Sequence, residues 1–276
     1  MEGGQGRGLK ASEHEDVEAL SAPRSTVLHE VVRRQGEEEL RRPNGSLFWS
    51  GIAGGITIMA SVIAQGSLLH KLPASLPWRD AVADLGYSLG FLMVILGRMQ
   101  LFTEQTIVTV LPVMAAPSWT KLGGTARLWA IVFIGNMIGA CIAAAINVHA
   151  HLMGPELLES MLEVSRKLLA KDWTALLLQG VPAGFLIASI AWIRAGIAQG
   201  DIAIIVALTT AIALGDFTHV VAGSAEAFLL AWSGEIGFGH ALGGLILPAL
   251  IGNVLGGTGL FTLLAYAQVR QELNGG

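Results

Sequence analysis

Inside an otherwise apolar stretch stands His219, flanked on both sides by polar residues: Asp216 and Thr218 before it, Glu226 after. An imidazole at membrane depth can donate a hydrogen bond to a passing anion or exchange a proton near neutral pH. Ionisable groups inside a span are functional candidates because burying them is costly. The competing reading of His219 is a buried histidine that caps backbone. Thr103 and Thr218 each follow a phenylalanine, Phe102 and Phe217. Their hydroxyls could hold an unpaired carbonyl or a permeating molecule. The two rings could close a pore to hydrated ions or simply pack in a core. Arg98, Glu104, Asp216 and Glu226 must be paired or wetted at such depth. The placement of Arg98 and Asp216 shortly before the two Phe-Thr pairs predicts a structural ion pair or caps on half-helices. Glu104 suits the positive end of a half-helix beginning near Thr103.

These residues recur in a pattern. Ile134-Gly135-Asn136-Met137-Ile138-Gly139-Ala140 reads like Ile251-Gly252-Asn253-Val254-Leu255-Gly256-Gly257. Two asparagines thus lie 117 positions apart, and Phe102-Thr103 lies 115 positions before Phe217-Thr218. Gly51-x3-Gly55 and Gly180-x3-Gly184 open the two halves. The chain therefore reads as a duplication, with repeats over 46–150 and 170–269. Asn136 and Asn253, on glycine-rich helices that can pack closely, are expected to brace broken backbone.

The elements that position these residues are apolar segments at 47–69, 83–115, 125–149, 173–195, 201–233 and 239–268. A span takes about 20 residues, so the second and fifth are too long for one plain helix, and both carry polar groups near their middles. Interruptions are predicted at 101–105 and 215–223. Six membrane helices in two sets of three give an inverted repeat, an arrangement that puts a substrate path between the halves, built from broken helices. Trp49, Trp78, Trp119, Trp173 and Trp232 near segment ends read as an aromatic belt.

Composition supports the class. Of 276 residues, 53% are hydrophobic and 14% charged, at a mean hydropathy of +0.59. Residues 1–45 hold seven of the 17 Lys and Arg and nine of the 21 acids, leaving 22 charges for the other 231. This is the profile of a polar tail on a polytopic membrane domain, taken as 46–276. Within the tail, 24–42 is expected to be helical, either lying in the membrane interface or solvated. Arg33, Arg34, Arg41 and Arg42 before the first span put the N-terminus in the cytoplasm, and six spans return the C-terminus there. The lone Cys141 excludes an intrachain disulfide. No metal-ligand spacing and no activated nucleophile stands out, and nothing suggests nucleic acid.

Leu101-Phe102-Thr103, the two Gly-Asn-x-x-Gly helices and Phe217-Thr218-His219 together resemble the formate/nitrite transporter family over residues 24–269. The resemblance implies an all-α, aquaporin-like fold of six helices, the second and fifth interrupted. It also implies a homopentamer with one pore per protomer, conducting small monovalent anions or their acids. It puts the mid-pore histidine at His219, the loop threonine at Thr103 and constriction residues at Tyr87, Phe91, Leu101 and Phe102. The chain departs from the formate channels at Gly223 and Gly184, where amides that flank the histidine are expected, and Arg98 and Asp216 replace small residues. Lys167 and Lys171 are only approximate counterparts of a vestibule lysine. The resulting expectation is an inner-membrane channel or proton-coupled transporter for a small anion, with no cofactor and no catalysis. A neutral-solute pore of the same fold, or a membrane protein without transport, are the competitors. The Asn-Pro-Ala tripeptide of water and glycerol pores is absent.

Overall fold

The computed structural model describes residues 22–197 and 199–274, which form helices and turns with no strand among them. Four helices are long and apolar enough to cross a membrane: α2 (Asn44–Lys71), α7 (Trp119–His149), α9 (Trp173–Arg194) and α12 (Phe238–Leu273). The second and fifth apolar segments are each split. α4 (Ser88–Leu96) is followed by α5 (Phe102–Val108), and α10 (Asp201–Leu214) by α11 (Val220–Trp232). Residues 97–101 and 215–219 leave helical geometry, so each gap closes sooner than expected. Phe102 and Thr103 already belong to the new helix, and so do residues 220–223.

Both breaks are built the same way. Arg98 (φ 52°) and Asp216 (φ 51°) occupy the left-handed region. In each, the next residue's N–H reaches back five positions: Met99 to the Val94 carbonyl (3.0 Å) and Phe217 to that of Ile212 (2.9 Å). This closure terminates a helix and releases the chain sideways. Glycine would adopt that φ without strain, whereas a side chain there costs about 1–2 kcal/mol. The two breaks are thus equivalent at an offset of 118 positions, pairing Gln100 with Thr218 and Leu101 with His219. The Phe-Thr pairs, 115 apart, are therefore not equivalent, and Thr103 and Thr218 hold different places in the two breaks.

The remaining elements cover this frame. α2 packs along α7 and α9 along α12. Glycines make these seams tight: a Cβ on Gly139 would meet the Ile52 carbonyl, and one on Gly256 the Val181 carbonyl. α12 carries π-helical stretches at Ala241–Ile246 and Leu255–Thr262. α3 (Arg79–Ala83) and a 3₁₀ turn (Asp84–Tyr87) lead into α4, and α6 (Val110–Ala115) follows α5. α8 (Pro155–Arg166) lies against α2 and α11. The hydrophobic-segment reading passed over α8 because it is amphipathic, although Pro155 at its first turn marks its start.

α1 (Ser25–Arg41) does not stand free in solvent but lays one face on the rest of the protein. His29, Val32 and Gly36 are buried on its inner face, which packs on α6, α9 and α12. The remainder of the polar tail, residues 1–21, lies outside the described residues.

Candidate functional site

Two buried asparagines hold the breaks open. Asn136 Oδ1 accepts from the Phe102 N–H (2.9 Å), and its Nδ2 donates to the carbonyls of Gly51 (2.8 Å) and Gln100 (2.9 Å). Asn253 repeats the pattern: Oδ1 accepts from the Val220 N–H (2.8 Å), and Nδ2 donates to Gly180 (2.9 Å) and Thr218 (2.8 Å). Each amide uses one donor and its acceptor on backbone that the interrupted helices leave unpaired, and its other donor on a carbonyl of an intact helix. One asparagine thus ties three pieces together: the first helix of its half, the loop, and the first N–H of the following half-helix.

His219 sits at the loop end, 1% exposed. Its Nδ1 accepts from the Ala222 N–H (3.2 Å) and caps α11. An N–H donor on Nδ1 leaves that nitrogen unprotonated, so the neutral ring carries its proton on Nε2. Nε2 lies 2.7 Å from Thr103 Oγ1. The imidazole therefore donates to the threonine, and the two breaks meet in one hydrogen bond. The Phe91 ring stands edge-on to the imidazole at 4.9 Å between centroids, and Tyr87 follows at 5.0 Å from Phe91. Leu101, Phe91 and Thr103 are all fully buried.

Cavities open on either side of this neck. One, near α1, is lined by Glu39, Arg98, Gln100, Glu104, Gln105 and Arg194 among others. There Gln100 Nε2 donates to Glu39 Oε2 (2.9 Å) and Gln105 Nε2 to Gln100 Oε1 (2.9 Å), so α1 is bonded directly to the first break. Arg194 lies 3.9 Å from Glu104 and 3.1 Å from Asp201. The opposite vestibule is lined by Tyr87, Lys167, Lys171, Asp216, Thr218 and Glu226, and it reaches His219 itself. Lys171 Nζ donates to the Asp216 carbonyl at 2.5 Å. Burial pushes the Lys171 amine below its ordinary value, opposed by the nearby Asp216 and Glu226 carboxylates.

Two expectations need correction. Arg98 and Asp216 form no ion pair: both are exposed, and they line cavities at opposite ends of the neck. Their shared trait is a backbone conformation, which a charge-based reading cannot see. Phe102 does not face His219; its ring packs edge-to-face on Trp129 (5.6 Å) and Phe133 (5.2 Å) of α7. Phe217 is half-buried on the wall of the Lys171 vestibule. Sequence reasoning also missed Gln65 and Asp84 on that wall, joined by a Gln65 Nε2 to Asp84 Oδ1 bond of 3.2 Å. A glutamine amid an apolar first span was the available signal.

The two glycine departures have opposite surroundings. A Cβ on Gly184 would strike the Asn253 carbonyl, whereas one on Gly223 would find nothing nearer than Thr218 Cγ2 at 3.9 Å. Gly184→Ala is expected to destabilise by about 1–3 kcal/mol through overpacking. Gly223→Ala is expected to hold or gain stability by up to about 1 kcal/mol, as alanine does in a helix. Thermal unfolding in detergent would check the contrast, and equal shifts in the two variants would contradict it.

Residues 26–267 match the family model described as Formate/nitrite transporter. Among curated proteins, the chain is 35% identical to the Inner membrane protein YfdC of Escherichia coli (strain K12), over 91% of this chain and 81% of that one. It is 27% identical to the Uncharacterized transporter YrhG of Bacillus subtilis (strain 168), over 86% and 91%. Among solved structures, a pentameric formate channel with formate bound superposes with a TM-score of 0.70 at 19% identity, covering 83% of this chain and 98% of that one. An FNT family ion channel gives 0.69 at 20% identity, over 89% and 98%.

Proposed function

The chain belongs to the formate/nitrite transporter family, and from that premise we propose that it is a membrane pore for small monovalent weak acids and their anions, with His219 and Thr103 at its neck. The observation that carries this reading is the Nε2–Thr103 contact between two vestibules, one of which bears two lysines. An anion entering an apolar constriction loses its hydration, and an isolated charge there is expensive. Lys167 and Lys171 would draw it in. At the neck, the Nε2–H now spent on Thr103 would turn to the permeant's oxygen. With Nδ1 held by the Ala222 N–H, the ring serves as a fixed donor, and protonating it would break the cap of α11. Tyr87, Phe91 and Leu101 form the apolar walls in this account.

The proposal extends to architecture. The 118-residue equivalence of the breaks and the matched asparagines support six spans in two inverted repeats, 46–150 and 170–269. The fold shared with a pentameric formate channel supports a homopentamer. Ile134, Ile138, Ile142 and Ile146 form an exposed apolar stripe on α7 fit for lipid or a neighbouring protomer. The relative YfdC is described as an inner membrane protein, which supports that location, with both termini on the cytoplasmic side.

Uptake of labelled formate, nitrite and glycerol into liposomes carrying the purified protein tests the reading. Saturable formate or nitrite uptake above protein-free liposomes is expected. Glycerol uptake alone would indicate a neutral-solute pore, and no uptake of any would indicate a protein without transport.

A further inference from the structure

The Lys171 vestibule holds more chemistry than capturing an anion requires. His219, Gly223 and Glu226 fall at i, i+4 and i+7 of one helical face and all line this cavity. The axial distance from His219 to Glu226 is about 10 Å at 1.5 Å per residue. Gly223 leaves the wall between them bare, with nothing within 3.9 Å of a would-be Cβ. Two polar atoms that belong to lining residues are buried without a partner. Gln65 donates through Nε2 to Asp84 while its Oε1 accepts nothing, and Thr218 Oγ1 bonds to nothing. Their residues are 5% and 3% exposed. Buried polar atoms are ordinarily paired, so an orphan acceptor and an orphan hydroxyl on one cavity wall point to a ligand. A neutral carboxylic acid presents the matching pair, an O–H donor and a C=O acceptor. A carboxylate, having only acceptors, leaves Gln65 Oε1 unmatched. The space open to water-sized spheres is about 50 Å³, room for a molecule of a few heavy atoms at about 10–15 Å³ each.

We propose that Glu226 is the acid that protonates an incoming weak-acid anion in this vestibule, with Gln65 Oε1 and Thr218 Oγ1 holding the neutral acid before it passes His219. The inference rests on the weak-acid reading of the pore. In the step, the O–H bond of the Glu226 carboxylic acid breaks as a new O–H bond forms on the permeant's carboxylate. The Glu226 carboxylate left behind takes its next proton from water at the open mouth. Asp84 and Asp216 surround this site with negative charge, Lys167 and Lys171 with positive, and Tyr87 and His219 close its inner end.

The test is formate and acetate uptake into liposomes carrying the full chain, wild type against Glu226→Gln and Glu226→Asp, across pH. Near pH 8 almost no neutral acid exists in bulk, so the protein's own proton donor matters most. There Glu226→Gln should lose at least about tenfold, a floor set below the roughly hundredfold or more that a positioned general acid contributes. Near pH 5 bulk water supplies neutral acid, and the loss should shrink to less than about threefold. Glu226→Asp should recover most of the flux at the higher pH. An equal loss at both pH values, with the same oligomer and melting temperature, would overturn the proposal in favour of a pore-shaping role. Unchanged uptake in Glu226→Gln at both would overturn it outright. Failure of the wild type to take up either acid would instead bring down the weak-acid reading, so the two failures are distinguishable.

Discussion

Asn253→Leu should fail to assemble or melt far below the wild type, and Asn136→Leu should behave alike. Either change keeps the number and branching of heavy atoms but strips the donors and acceptor from three bonds to backbone. The Gln100 or Thr218 carbonyl and the Phe102 or Val220 N–H are then buried without partners. Each such group costs about 1–3 kcal/mol, giving a loss of about 2–6 kcal/mol. Against a typical stability of 5–15 kcal/mol this is a large fraction. Asparagine to aspartate should do no better, because both donations vanish and a buried carboxylate would face two carbonyl oxygens. Size-exclusion profile and thermal unfolding in detergent would decide it. Wild-type melting in either leucine variant would show that the breaks hold themselves open by packing alone.

The second large effect concerns the contact between the breaks. Thr103→Val is nearly isosteric but removes the acceptor of the Nε2–H bond. It should keep the fold, since the Ala222 cap and the Phe91 edge contact remain. It should nonetheless change formate uptake several-fold, because a buried donor without its resting partner is released toward the permeant. His219→Phe alone removes both the donor and the cap, the cap at about 0.5–2 kcal/mol. Since the two residues act through one bond, adding Thr103→Val to His219→Phe should bring little further change in flux. Independent, multiplying effects would mean that Thr103 touches the permeant without regard to His219.

Much of this arrangement was legible in the residues. Polar groups inside overlong apolar runs announced both breaks, and Asn136 and Asn253 announced a duplication because asparagine is costly in a span unless it has a fixed job. The register of that duplication was not legible. The dipeptide Phe-Thr recurs by coincidence at 115, whereas Arg98 and Asp216, alike only in φ, mark the breaks as equivalent at 118. Glycine is the usual sign of a left-handed position; aspartate at 216 is a weak one, and arginine at 98 gives none. Phe102 was misplaced for the same reason. A helix beginning at Phe102 rather than after it turns the ring from the neck toward Trp129. Gln65 and Glu226 come together from distant segments, and no local pattern could pair them.

If His219 is the donor at the neck of a weak-acid pore, the pH dependence and selectivity of uptake in His219→Phe will show it. Labelled formate, nitrite and acetate would be followed into liposomes carrying wild type or variant at matched oligomer content. The account predicts that wild-type uptake rises as pH falls, and that His219→Phe, still a folded oligomer, loses anion passage and shifts its preference among the three permeants. Identical pH dependence and identical selectivity in wild type and His219→Phe would contradict it, leaving His219 as a cap on α11 and the neck elsewhere.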